Sequence, residues 1–101
     1  MEFSAQEEGS TRVFSFGGKF SFADNDDIRR VIDDIGNTAC SSCTIDLSNL
    51  ESIDSAGLGM LLLISDSAQE KGKSLDLRGA GGQVQKMLEI SKFSEILTIK
   101  E

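Results

Sequence analysis

The residues best placed to do chemistry in this chain are Asp54, Ser55, Ala56, Gly57, Leu58 and Gly59. They follow a short apolar segment at 44–47 and precede the apolar run 60–64, an order that reads strand, loop, helix. A helix beginning here leaves backbone N–H groups unpaired and presents the positive end of its dipole. Asp54 or Ser55 can cap it through a side-chain oxygen. The glycines leave little bulk around the turn. A serine hydroxyl at such a helix start lies near the surface, where a partner can reach it. A phosphate carried there would be tolerated by the helix, because anions sit well at helix N-termini. The plainer alternative is that Ser55 is only a cap.

The elements that must hold this loop follow from periodicity. The segment 3–7 forms a weak first strand, and Gly9-Ser10 reads as a turn. In 12–16, Phe14 and Phe16 alternate with polar neighbours, as in a strand. Gly17-Gly18 bends or breaks it, and 19–22 alternates again. Asp24 caps a helix in which Ile28, Val31, Ile32 and Ile35 share one face. Arg29 with Asp33, and Arg30 with Asp34, fall at i, i+4 on its wet side. The segment 44–47 is a short central strand, and a second helix runs over 55–71. Its wheel clusters Leu58, Leu61, Leu62, Ile64, Ser65 and Ala68, and turns Gly59, Met60, Leu63 and Ser67 away. A further strand at 74–77, a glycine-rich loop at 79–82, a short helical face (Val84, Met87, Leu88, Ser91) and a closing strand or tail at 96–99 complete the chain. Alternating strands and amphipathic helices imply an α/β layered fold, with one domain over 1–101.

Ile53-Asp54-Ser55-Ala56-Gly57-Leu58-Gly59, with Ile45-Asp46-Leu47 and Leu50 before it, resembles the signature of the STAS family of sulfate transporter tail domains and anti-sigma factor antagonists. The similarity extends from near Val13 to Ile99. It implies a STAS-like mixed β-sheet with α-helices packed mainly on one face. It also implies a bacterial switch protein that is not an enzyme. In stand-alone members the serine matching Ser55 is phosphorylated by a serine protein kinase, which can also be the anti-sigma factor, and dephosphorylated by a serine phosphatase. Unphosphorylated, such a protein binds its partner; phosphorylated, it lets go. Asp54, Ala56 and Gly57 would shape the phosphorylated loop. Leu58, Gly59, Met60, Leu63, Lys19 and Ser21 would meet the partner, Met60 and Leu63 because apolar groups stand on the outward helix face. Burial of Met60 and Leu63 under a loop or helix is the competing expectation. Family members carry a Gly-Glu-Leu/Ile-Asp-like segment where this chain has Gly18-Lys19-Phe20-Ser21. Both acidic positions are replaced, which bears on recognition of the usual kinase. Absence of the long C-terminal helix of many relatives would favour a weak homodimer. The alternative is a constitutive, non-switching interaction subunit of a larger complex, such as a transport assembly.

Composition narrows the rest. With 17 acidic against 10 basic residues and a formal charge of −7, the chain lacks the basic face that nucleic-acid binding needs. No apolar run approaches the ~20 residues of a membrane span, and the acidic first residues lack a signal core, so the expectation is a cytoplasmic protein without membrane insertion. There is no histidine, which removes the usual general base and the commonest metal ligand. Cys40-Ser41-Ser42-Cys43 has redox or half-metal-site spacing, but it leads into a strand and has no second pair, so two reduced cysteines in a connecting loop are expected. Asp24-Asn25-Asp26-Asp27 lacks the glycine and glutamate of a calcium loop. Gly79-Ala80-Gly81-Gly82 lacks the residues that follow a phosphate-binding loop and reads as a tight connection. No cofactor or metal is expected.

Overall fold

A computed structural model describes residues 1–100. The chain runs β1 (Glu2–Glu8), β2 (Thr11–Phe20), α1 (Asn25–Asn37), β3 (Ser42–Ile53), α2 (Ser55–Glu70), β4 (Ser74–Arg78), α3 (Gly82–Ile90) and β5 (Thr98–Lys100). Short 3-10 turns occupy Phe22–Asp24 and Phe93–Glu95. The five strands form one sheet in the order β1-β2-β3-β4-β5. β1 runs antiparallel to β2, and every other neighbouring pair is parallel.

Strand alternation divides the sheet into two unlike faces. Phe14 and Phe16 of β2, Cys43, Ile45 and Leu47 of β3 and Leu77 of β4 point to one face and are buried. They share a single core with Ile28, Val31 and Ile35 of α1, Leu61, Ile64 and Ala68 of α2, and Val84 and Leu88 of α3. All three helices therefore lie on that face, as the family resemblance implies. Phe16 and Phe20 meet edge-on, with ring centroids 5.6 Å apart. The opposite face carries Ser4, Gln6, Thr11, Ser15, Ser42, Thr44, Asp46, Asp76, Arg78 and Lys100.

β3 is much longer than the segment 44–47 that alternation picks out. Its pairing with β2 shifts twice: Ser15 and Gly17 pair with Asp46 and Asn49, and Gly18 and Lys19 with Leu50 and Ser52. Each shift places one extra residue in β3, so its inward residues become Leu47, Leu50 and Ile53, spaced by three instead of two. The bulges hide the strand from a period-two reading. They also carry β3 to the edge of the core, where the loop at Asp54 begins. β2 is likewise continuous through Gly17 and Gly18 as far as Phe20, and 21–22 leaves the sheet.

In α1, Asp34 does not pair with Arg30. It accepts from Arg12 of β2 through both oxygens, at 2.9 Å each. Arg30 meets Asp27 instead, at 3.9 Å. A two-pronged hold on a strand arginine fixes more geometry than a solvent-side helix pair can. Asp24 closes the loop into α1 by accepting from the Ser21 N–H at 2.8 Å and from the Met1 amino group at 2.9 Å.

On the open face Arg78 reaches Asp46 at 3.2 Å and Glu8, on the far strand β1, at 3.4 Å. By the register this side chain crosses the sheet diagonally above Thr44 and Val13. Val13 is 1% exposed although it points away from the helices. Asp46 also accepts from Ser48 N–H at 2.9 Å and Ser48 Oγ at 2.6 Å, closing the first bulge. Burial alone would raise the Asp46 carboxyl, but the Ser48 and Arg78 hydrogen bonds outweigh it and hold it below the usual carboxylate range. A depressed folded value contributes stability that is complete above the unfolded value and is lost as pH falls through the folded one. Asp46→Asn keeps an acceptor for Ser48 and removes the titration. Chemical denaturation across acid pH should show a shallower loss of stability for this variant than for the parent; equal slopes would mean that Asp46 makes no such contribution.

Candidate functional site

The site is built where the ends of β2 and β3 meet the start of α2. Phe20 and Ile53 pair at the end of the two strands. Asp54 then donates its N–H to the Phe20 carbonyl at 3.2 Å. Asp54 adopts an extended conformation and is the cap of α2: its side chain accepts from Gly57 N–H at 2.8 Å, and its carbonyl accepts from Leu58 N–H at 3.0 Å. Capping thus falls to Asp54 and not to Ser55. Ser55 is the first helical residue and is exposed. The N–H groups of Ser55 and Ala56 remain as the open donors at the helix start.

Gly57 is needed for space. A Cβ there would stand 2.7 Å from Ile53 Cγ1 and 3.1 Å from the Phe20 carbonyl oxygen. The first turn of α2 therefore lies directly on the strand ends, and any larger residue would lift it off.

The outer face of α2 runs through Ser55, Gly59 and Leu63, at i, i+4 and i+8. Nothing lies within 4 Å of where a Gly59 Cβ would be, and Leu63 is 56% exposed. Phe22, two residues beyond the Phe20 carbonyl that holds Asp54, is 70% exposed. Alternation placed Phe22 on a strand, and its exposure is visible only once β2 stops at Phe20. Lys19 is exposed and pairs in register with Ser52, so it stands beside the loop with Ser21.

Two expected partner-contact residues are not on this surface. Met60 is 4% exposed and Leu58 7%, and both belong to the core. The wheel turned Met60 outward on the assumption that α2 buries only its sheet-facing side. α1 packs alongside α2, which widens the buried arc to include Met60. Gly59, Leu63 and Ser67 do lie on the open or half-open side.

Gln83, in the first turn of α3, belongs to the site although no sequence motif marks it. Its carboxamide accepts from the Ile53 N–H and donates to the Ile53 carbonyl, each at 2.9 Å. β4 does not extend this far along β3. Gln83 therefore takes the place of a strand partner and holds the residue immediately before Asp54. A lone glutamine near a helix start gives no sequence signal for this.

The other candidate motifs serve the fold. Cys40 and Cys43 are free and buried. Cys43 lies within β3 and not in the preceding loop, and burial, its largest influence, pushes its thiol up and disfavours the reactive thiolate. Lys73 spans the loop by donating to the Thr38 carbonyl and, at 3.0 Å, to that of Cys40. At Gly79, with φ +78°, a Cβ would meet Ser48 at 3.0 Å and Asp46 Oδ1 at 3.2 Å, so the glycine loop is a tight connection beneath the first bulge. Among the described residues no group of His, Cys, Asp and Glu side chains is arranged to hold a metal ion, and no helix is long and apolar enough to cross a membrane.

A mixed five-stranded sheet with its helices on one face and an Asp-capped serine at the start of α2 defines a STAS fold. The family model described as "Mlab, STAS domain" matches residues 3–98, and the chain belongs to the STAS family. A STAS-domain-containing protein of Pseudomonas aeruginosa (strain UCBPP-PA14) is 30% identical over 92 residues, 91% of this chain and 90% of that protein. A solved structure from Thermotoga maritima, provisionally described as an anti-sigma factor antagonist, matches with a TM-score of 0.87 at 21% identity, over 98% of this chain and 86% of its own. The phosphorylated form of the Bacillus cell-fate determinant SpoIIAA matches with a TM-score of 0.72 at 17% identity, over 97% and 90% of the two chains.

Three substitutions test this geometry. Leu63→Asp should leave the thermal midpoint nearly unchanged, whereas Met60→Asp buries a charge among apolar groups and should cost several kcal/mol, on the order of 3 or more. Gln83→Ala leaves the Ile53 N–H and carbonyl without their partner; hydrogen exchange at Ile53 should accelerate, with a stability loss of about 1–3 kcal/mol in denaturant titration. Unchanged exchange at Ile53 would show that water replaces Gln83 without cost.

Proposed function

We propose that this protein is a phospho-regulated partner-switching module of the anti-sigma factor antagonist kind. Unphosphorylated, it binds a serine kinase, an anti-sigma factor or a related regulator. Phosphorylation of Ser55 releases that partner, and a serine phosphatase restores binding. The protein performs no catalysis of its own. The observation that carries the reading is the exposure of Ser55 at the first position of α2 with Asp54 doing the capping. The hydroxyl is not committed to holding the helix, so modifying it leaves the fold standing.

Phosphorylation adds about −1.5 to −2 charges at a helix end that accommodates them. The effect falls on the surface. Leu63 lies two turns along the same face and Phe22 lies two residues beyond the strand end that holds Asp54, giving a partner apolar footing near Ser55. A dianion beside them is costly to desolvate under a docked partner, and it repels one whose own surface is acidic there. Lys19 and Ser21, where relatives are acidic, flank the same loop and fit a partner whose contacts differ from the usual kinase.

That departure also supports a second reading, in which the fold serves as a constitutive subunit of a larger complex, such as a transport assembly, and the switch is silent. Intact mass of the protein purified from its native cells, beside Ser55→Ala, separates the two. A phosphate-sized addition that disappears in Ser55→Ala is the expected result. An unmodified mass in every growth condition, together with a stable complex indifferent to Ser55→Asp, would overturn the switch.

A further inference from the structure

The outer edge of the sheet poses a separate question from Ser55. β1 (Glu2–Glu8) pairs with β2 along one side, and among the described residues nothing pairs with its other side. It is seven residues long and regular in register, contains neither proline nor lysine, and its only charges are acidic, Glu2, Glu7 and Glu8, which guard it against acidic partners but not basic ones. Of its helix-side residues, Phe3 and Ala5 are half-buried, packed against the core but left partly open at the flank, and Glu7 is exposed and reaches Arg12 at 3.9 Å. Its open-face residues begin and end on glutamate, Glu2 and Glu8.

Beside Glu2 the open face holds a cleft of about 500 Å³, lined among others by Ser4, Ser15, Gly17, Asn49 and Glu51. Gly17 contributes no side chain to its floor. Glu2 and Glu51 stand on its walls and form no ion pair among the described residues, whereas Glu7, Glu8, Asp46 and Asp76 all do.

We infer that β1 is a docking edge for an extended basic segment of another protein, which adds as a sixth strand and sends a lysine or arginine into the cleft between Glu2 and Glu51. The ladder supplies main-chain hydrogen bonds, and alternation supplies the selectivity. Side chains of the added strand that cover Phe3 and Ala5 on the helix side are apolar. Those on the open face flank Glu2, Ser4, Gln6 and Glu8 and are basic. A second copy of this chain fits badly. Symmetric antiparallel pairing of β1 centred on Ala5 sets Glu2 against Glu8 at both ends, and like charges directly opposite are destabilising. The overall charge of −7 opposes self-pairing further and favours a basic partner.

The test uses the full chain and a labelled peptide of alternating lysine and valine. A second peptide of the same sequence is N-methylated on the amides of both edges, which keeps its charge and abolishes its ladder in either strand direction. Saturable binding of the first peptide, with slowed hydrogen exchange confined to β1, is expected. The methylated peptide should fail to bind. Glu51→Lys, a change on β3 outside the ladder, should weaken the first peptide about tenfold or more without altering the fold. Equal binding of the two peptides would reduce the effect to charge adsorption and overturn the proposal. Protection at α2 instead of β1, or no binding, would also overturn it. Concentration-dependent dimerisation of the chain alone with the same β1 protection would replace the basic partner with a second copy.

Discussion

The structure depends on one close contact, the landing of the first turn of α2 on the paired ends of β2 and β3. Asp54 is bound from both sides, through its N–H to Phe20 and through its carboxylate to Gly57. Gly57 lets the helix approach to a distance that a methyl group would forbid. Gln83 then fixes Ile53 from α3, so three elements converge on two residues. This convergence frees Ser55 from structural duty. A serine that had to cap the helix would couple its modification to the stability of the fold. Here the aspartate next to it carries that load.

The two faces of the sheet divide the labour. One face buries a continuous apolar core beneath three helices, which supplies the stability that a chain of 101 residues needs. The other is polar and is tied together by Arg78, whose side chain links β4 to β3 and β1. Ion pairs at this level of exposure contribute little individually. Their consequence is to fix the positions of Glu8 and Asp46. The bulges of β3 serve both faces, since they keep Leu47, Leu50 and Ile53 inward while extending the strand to the loop.

Under the proposed switch, the surface around Ser55 works through shape and charge. The exposed apolar residues near Ser55 are few and separated, Leu63 on the helix and Phe22 beyond β2. For the switch proposed above, two separated apolar contacts fit a reversible encounter, in which one added phosphate would be large relative to the binding free energy.

The sequence by itself determined the element order, the buried face of α1, the Val84 and Leu88 contacts of α3 (though not Ser91, which caps the helix and is exposed), and the motif at Asp54 to Gly59, because helix periodicity and cap chemistry are local properties. It also limited the chemistry: without histidine, a nucleophilic serine has no ordinary base. It did not determine the length of β3, because two bulges replace a period of two by a period of three, and bulges are fixed by pairing with β2. Nor did it determine whether Asp54 or Ser55 is the cap, since either side chain can accept the same kind of bond and only the backbone at residue 54 decides. Met60 and Leu63 look alike on a helical wheel and end up on opposite sides of burial, because α1 packs against one flank of α2 and leaves the other open. Gln83 meets Ile53 across 30 positions of chain, a contact that no local pattern encodes. Tertiary packing alone brings those two residues together.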